Sequence, residues 1–182
     1  MMIRLEHPED HRAIAEVHRL AFGGEAEVQL VEAIRGSDRW LESRSFVAEI
    51  EGQVVGHLLL SPIDLAVEAP DASQPELRPR SLWALAPLAV HPQFQRQGIG
   101  SELVLCACAM ATELTWLSYP AAIVGLGHPE FYARFGFVPS QSLGLESPFE
   151  VSPEYFRVKL LNPKKSLDRG KVVYPPAFSS VI

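Results

Sequence analysis

Cysteine is scarce in this chain. Its two cysteines, Cys106 and Cys108, stand two apart on a stretch that reads as helix. Positions i and i+2 point to different sides of a helix, which excludes a local disulfide and a local metal-ligand pair. Both are expected to be small, buried, apolar residues. Long apolar runs are also lacking. None approaches the ~20 residues that span a bilayer, and Met1-Met2-Ile3-Arg4-Leu5-Glu6 has no apolar signal core, so the expected location is the cytoplasm, with no membrane partner. Positive charge is thin as well: 16 Lys and Arg against 22 Asp and Glu leave a formal net charge of −6. The basic residues are scattered, which excludes a contiguous basic face and argues against a nucleic-acid partner, while the acidity favours a cationic one. Internal repeats and low-complexity runs are absent. With 182 residues, one domain spanning 1–182 can bury a sizeable core without staples.

What is present is a regular alternation of strand-like and helix-like segments. Ile3 to Leu5 reads as a strand. Glu9 to Phe22 places Ile14, Val17, His18 and Ala21 near one helical face and stops at Gly23-Gly24, and Glu25 to Arg35 repeats the pattern up to Gly36. Phe46 to Ile50 and Val54 to Leu60 flank Glu51-Gly52 and predict a hairpin. Residues Glu68 to Pro79 are rich in proline and polar residues and read as a loop. Leu82 to Val90 is a fourth strand, Gly98 to about Leu114 a long helix, and Ala121 to Leu126 a fifth strand. Joining strands four and five through a helix makes a parallel crossover, with ligands expected at the carboxyl end of the strand. The predicted class is α/β (α+β), a mixed central sheet with helices on both faces. Pro87 cannot donate to a ladder, so a bulge or splay is expected within strand four. In the remaining 141–182, a hairpin around Phe156 to Leu161 and a strand at Lys171 to Tyr174 should complete the sheet and an acceptor wall. Phe149, Tyr155, Phe156 and Phe178 are either an aromatic pocket or ordinary core.

The run from Ala86 to Ser101 joins a strand to a glycine-rich turn and then to a helix. Gly98 and Gly100 remove Cβ atoms that would hold a ligand away from the backbone. Gln97 to Ser101 supply the amides of a first helical turn, and Gln95, Arg96 and Gln97 add side-chain donors. The partial positive charge of a helix N-terminus favours an anion such as a pyrophosphate. The phosphate loop of nucleoside triphosphatases does not fit, because no lysine follows the glycines. A dinucleotide fingerprint fits poorly, since Leu103 stands where a third small residue belongs and Gly125 and Gly127 stand where an acidic residue is wanted.

Gln95-Arg96-Gln97-Gly98-Ile99-Gly100, following a strand that ends Val90-His91-Pro92, resembles the coenzyme A pyrophosphate loop of the GNAT N-acetyltransferase superfamily. About thirty residues on, Phe131-Tyr132-Ala133-Arg134-Phe135-Gly136-Phe137 is similar to that family's Phe-Tyr-x-x-x-Gly-Phe helix and turn. The resemblance covers roughly residues 1–140 and implies a GNAT-like fold with splayed strands four and five. It implies acetyl-coenzyme A as cosubstrate, no metal, and direct transfer to a primary amine of a small molecule or peptide. A homodimer is the assembly left open.

On that resemblance, cofactor contacts fall on Leu88, Ala89 and Val90, whose backbone would pair with the pantetheine arm, and on Gln95, Arg96, Gln97, Gly98, Ile99, Gly100 and Ser101. The backbone amide of Leu88 is the expected oxyanion donor, because Pro87 has none. Tyr132 is the expected general acid toward the departing thiolate, and the alternative is a tyrosine that only packs its ring. Arg134 either reaches the coenzyme phosphates or is an ordinary exposed helix arginine. The general base stays open. Relatives with histidines on strand four are matched here by Ala84 and Ala86, which leaves Glu25, Glu27, His57, His91, His128 or water. Among these, His57 also reads as a satisfied sheet residue and His91 as a loop-structuring one. The missing strand-four histidines also suit a non-catalytic acyl-coenzyme A sensor.

Overall fold

In a computed structural model of the chain, residues 1–67, 76–114, 120–162 and 167–181 are described, with the backbone alone for 76–81. The elements run β1 (Met2–Leu5), α1 (His11–Phe22), α2 (Ala26–Arg35), β2 (Ser45–Ile50), β3 (Gln53–Val67), β4 (Glu76–Val90), α3 (Ile99–Glu113), β5 (Ala122–Leu126), α4 (Pro129–Ala133), β6 (Val138–Pro139), β7 (Leu145–Glu146), β8 (Phe156–Leu160) and β9 (Gly170–Val173). The order expected as far as β5 is the order found. Two compact units divide the chain: Met1–Ser61 with Ala86–Ala109 and Pro176–Ile182, and Pro62–Leu85 with Met110–Pro175.

In the first unit, β1, β2 and the start of β3 pair antiparallel, from Leu5↔Phe46 to Ile50↔Gln53. The hairpin turns at Glu51 (φ 50°) and Gly52 (φ 80°). Positive φ at both central residues is the turn whose twist matches that of the flanking strands. Helix α1 stops where glycine adopts φ 75°, with the Gly23 amide donating to the Arg19 carbonyl at 2.9 Å. The core gathers Ile14 and Val17 from α1, Val31 from α2, Val47 from β2, Val54 from β3 and Ala89 from β4. Helix α3 closes on β3 at Gly56, where an added Cβ would lie 3.1 Å from both Ile99 and Leu103. A side chain there would force both residues to give by a few tenths of an ångström, so the first turn of α3 packs closely on the sheet.

The second unit holds the parallel part of the sheet. Strands β4 and β5 pair from Leu82↔Ala122 to Leu85↔Gly125, as the crossover requires. Strand β8 runs antiparallel to β5 and to β6. Strand β9 runs antiparallel to β3 and parallel to β7. Leu82, Trp83, Ile123, Val124, Phe156, Val158 and Val172 are fully buried.

Three expectations change. Within the predicted loop Glu68–Pro79, residues 68–75 lie outside the described residues, while 76–79 already belong to β4. Proline removes one donor, yet its φ suits extended backbone, so a proline-rich composition does not forbid a strand. The region around Phe156 is no local hairpin; β8 is one strand whose partners are the distant β5 and β6. Cys106 is only half-buried, and Cys108 alone is buried; neither forms a disulfide. The register of β4 with β5 ends at Leu85, just before the cis Ala86–Pro87 bond.

Candidate functional site

The glycine turn expected to cradle an anion lies in the first unit. Arg96 (φ 61°) and Gly98 (φ 88°) both take left-handed backbone, two residues apart. Such alternation curls successive amides toward one side and makes a concave donor surface. The first helical bonds of α3 come from Ser101 and Glu102, both to the Gly98 carbonyl at 2.9 and 3.0 Å. The amides of Gly98, Ile99 and Gly100 therefore precede the intrahelical ladder. A Cβ on Gly98 would meet nothing within 4 Å, so the space beside it is open.

The side chains expected to surround an anion partly shape the loop instead. Gln95 Nε2 donates to the Val90 carbonyl at 3.0 Å, and Gln97 Nε2 to the Gln93 carbonyl at 3.3 Å. His91 serves the same turn, accepting at Nδ1 from the Gln93 amide while its own amide bonds the Val55 carbonyl at 2.8 Å. Arg96 is exposed, Ile99 is buried as the anchor of the helix, and Ala89 faces the core while Leu88 and Val90 are half-buried.

The candidate bases separate sharply. Glu25 is exposed and ion-paired with Arg19, which holds its carboxyl below the usual range. Glu27 is half-buried in the first turn of α2, and His128 is exposed at the start of α4. The His128 carbonyl accepts from the Phe131 and Tyr132 amides at 3.1 and 3.2 Å, while its ring makes no capping bond. His57 is fully buried in a polar chain. Its Nδ1 lies 2.8 Å from His18 Nε2, its Nε2 lies 2.8 Å from Ser45 Oγ, and Glu6 Oε2 is 3.3 Å from that same nitrogen. Ser45 Oγ donates to Glu6, and Arg35 holds the Glu6 carboxylate by two bonds of 2.9 and 3.1 Å. Burial alone would raise the Glu6 pKa, but the bonds from His57, Arg35 and Ser45 outweigh it and hold it at about 2. Burial also pushes His18 down to about 2 and lowers His57. His57 is thus the satisfied sheet residue, with no face left for a substrate.

In the second unit Tyr132 lies on α4 with 5% of its surface exposed. Phe131 and Phe137 contact its ring at centroid distances of 5.1 and 5.2 Å. The Tyr132 carbonyl accepts from Phe135 and Phe137, which bends the chain through Gly136 at φ 80°. Arg134 is exposed and lies over Phe131 and Phe135. The phenol of Tyr174 is driven up in pKa by burial and, secondarily, by Tyr132 nearby. Phe156 and Phe178 are core residues, while Phe149 packs against Phe156 and Tyr174.

Sequence reasoning missed two sets of residues. Arg157 and Lys159 of β8 donate to the carbonyls of Phe137 and Phe135, each at 2.7 Å, and so pin the turn after Tyr132. His57 read as a satisfied sheet residue, but its partners Glu6 and Ser45 carried no signal, and His18 was marked only by its place on an apolar helix face. Among the described residues no group of three or more His, Cys, Asp or Glu could hold a metal, and no helix is long and apolar enough to cross a membrane.

A family model described as an acetyltransferase (GNAT) domain matches residues 42–139. The N-acetyltransferase YhbS of Escherichia coli K12 is 35% identical over 159 residues, covering 83% of this chain and 86% of that protein. The crystal structure of E. coli YhbS in complex with CoA superposes with a TM-score of 0.81 at 28% identity, covering 98% of this chain and 91% of that one. A GNAT family acetyltransferase from Brucella melitensis in complex with acetyl-CoA gives 0.71 at 27% identity, with 97% of each chain covered.

Proposed function

Because this chain belongs to the GNAT acetyltransferase family, we propose that it transfers the acetyl group of acetyl-coenzyme A to a primary amine of a small molecule or peptide. The observation that carries the reading is the cradle, where left-handed Arg96 and Gly98 open onto the first amides of α3. Those amides and the helix dipole suit a pyrophosphate, and the structures of YhbS and the Brucella protein hold CoA and acetyl-CoA.

Acetyl-coenzyme A supplies the acetyl group as a thioester. The amides of Gly98, Ile99 and Gly100, with Arg96 beside them, hold its anionic end in the loop that Gln95 and Gln97 brace, and the backbone of Leu88, Ala89 and Val90 orients its arm. The Leu88 amide donates to the carbonyl oxygen as negative charge develops there. Tyr132 keeps a proton at its hydroxyl for the sulfur that leaves. The acceptor ammonium loses its proton to water, with Glu27 and His128 as side-chain alternatives.

The test is thiol release from acetyl-coenzyme A across a panel of primary amines, in the cytoplasmic pH range. Amine-dependent release is expected. Tight coenzyme binding with no release for any amine would favour an acyl-coenzyme A sensor.

A further inference from the structure

Gly125 and Gly127 fit no phosphate motif, yet they occupy one face at the end of β5 and the turn that follows. Residues two apart on a strand point the same way, and here both point at Tyr132. A Cβ built on Gly127 would stand 2.8 Å from Tyr132 Cε2 and 3.8 Å from Cζ. One built on Gly125 would stand 3.2 Å from Cε1 and 3.4 Å from Cζ. The two glycines approach opposite edges of the ring and share the carbon that bears the hydroxyl. The ring therefore lies over bare strand backbone.

The remaining contacts leave the ring little room to retreat. Phe131 and Phe137 pack against it at 5.1 and 5.2 Å between centroids. The turn carrying Phe137 is held by Arg157, and that carrying Phe135 by Lys159, at 2.7 Å each. A side chain on β5 would consequently move the hydroxyl rather than be absorbed elsewhere. Strand β5 keeps its register here, with Gly125 opposite both Leu85 and Arg157. The Gly127 amide bonds the Tyr155 carbonyl at 3.0 Å.

From this we infer that Gly125 and Gly127 are positioning residues that seat the Tyr132 ring and set where its hydroxyl stands, an inference that rests on Tyr132 acting as the proton donor. A donor must be placed to within a fraction of an ångström, and a 1 Å error costs on the order of 10² in rate. Gly127→Ala forces the larger displacement and Gly125→Ala the smaller.

The experiment is a double-mutant cycle on acetyl transfer with one good amine. It uses Gly127→Ala, Gly125→Ala, Tyr132→Phe and each glycine change combined with Tyr132→Phe. We expect kcat to fall about tenfold or more in Gly127→Ala and less in Gly125→Ala, with the KM for acetyl-coenzyme A unchanged. In the Tyr132→Phe background the same glycine changes should alter kcat by less than about twofold, because the hydroxyl they displace is gone. If Gly127→Ala does not fold, Gly125→Ala carries the test, since its contact needs the ring to give by only a few tenths of an ångström. A folded glycine variant with wild-type kcat, or one losing the same factor with and without the hydroxyl, overturns the seat while leaving Tyr132 as donor. Wild-type turnover in Tyr132→Phe overturns the donor itself, and the seat with it.

Discussion

His18 Nε2 and His57 Nδ1 stand 2.8 Å apart in the interior, two imidazoles joined end to end with their planes 81° apart. The direction of the chain follows from its far end. Ser45 gives its hydroxyl proton to Glu6, so its oxygen accepts from His57 Nε2, and His57 Nδ1 must accept from His18 Nε2. Both rings are then neutral with the proton on Nε2, as burial demands.

Acid stability follows from that arrangement. His18 falls to about 2 from an ordinary value of 6.5, and His57 is lowered too, so below pH 6.5 the unfolded chain takes up protons that the folded one refuses. The histidine contribution should be level above pH 6.5 and fall beneath it by up to about 1.4 kcal/mol per pH unit for each histidine. Glu6, held at about 2 against 4.5, adds stability that is present above pH 4.5 and lost as pH falls through 2. Urea titrations at a series of pH values measure the slope, and His18→Gln should flatten it between pH 6.5 and 4.5.

Removing the anchor of the chain should be costly. Glu6→Ala strands the Arg35 guanidinium and leaves the Ser45 hydroxyl without its acceptor. Breaking a buried charged network in this way costs about 3–5 kcal/mol. Arg19→Ala, which breaks only exposed pairs to Glu16 and Glu25, should leave the melting temperature nearly unchanged. Equal losses in the two variants would contradict this assignment of the buried chain.

Coenzyme A should raise the melting temperature, since a ligand of the folded state adds RT ln(1 + [L]/Kd) to stability. Gly98→Val with Gly100→Val should abolish that increment, because a branched side chain opposes φ 88° and fills the open space beside the helix. A shift that survives in the folded double variant would move the pyrophosphate elsewhere.

Tyr132→Phe removes one hydroxyl and keeps the ring on its glycine seat. Coenzyme binding and melting temperature should change little, while kcat falls by about 10²–10⁴ if the tyrosine is the general acid. Steady-state kinetics with a good amine read the difference directly.

The order of strands and helices as far as β5, the turn at Glu51-Gly52, the stop at Gly23 and the glycine loop opening α3 were all legible along the chain. Each is a local matter: apolar spacing selects the element, and a glycine marks the point where the backbone turns left-handed. The sequence also carried the two motifs by which the family is legible. Tertiary structure alone decided that His57 is buried and shared between Ser45, Glu6 and His18, because those residues are 12, 51 and 39 positions away. It decided that the glutamine side chains of the cradle brace their own loop, that β8 pairs with distant strands, and that Gly125 and Gly127 face Tyr132. A hydrogen-bond partner or a ring contact is set by which elements pack together, and no local pattern along the chain encodes which ones meet.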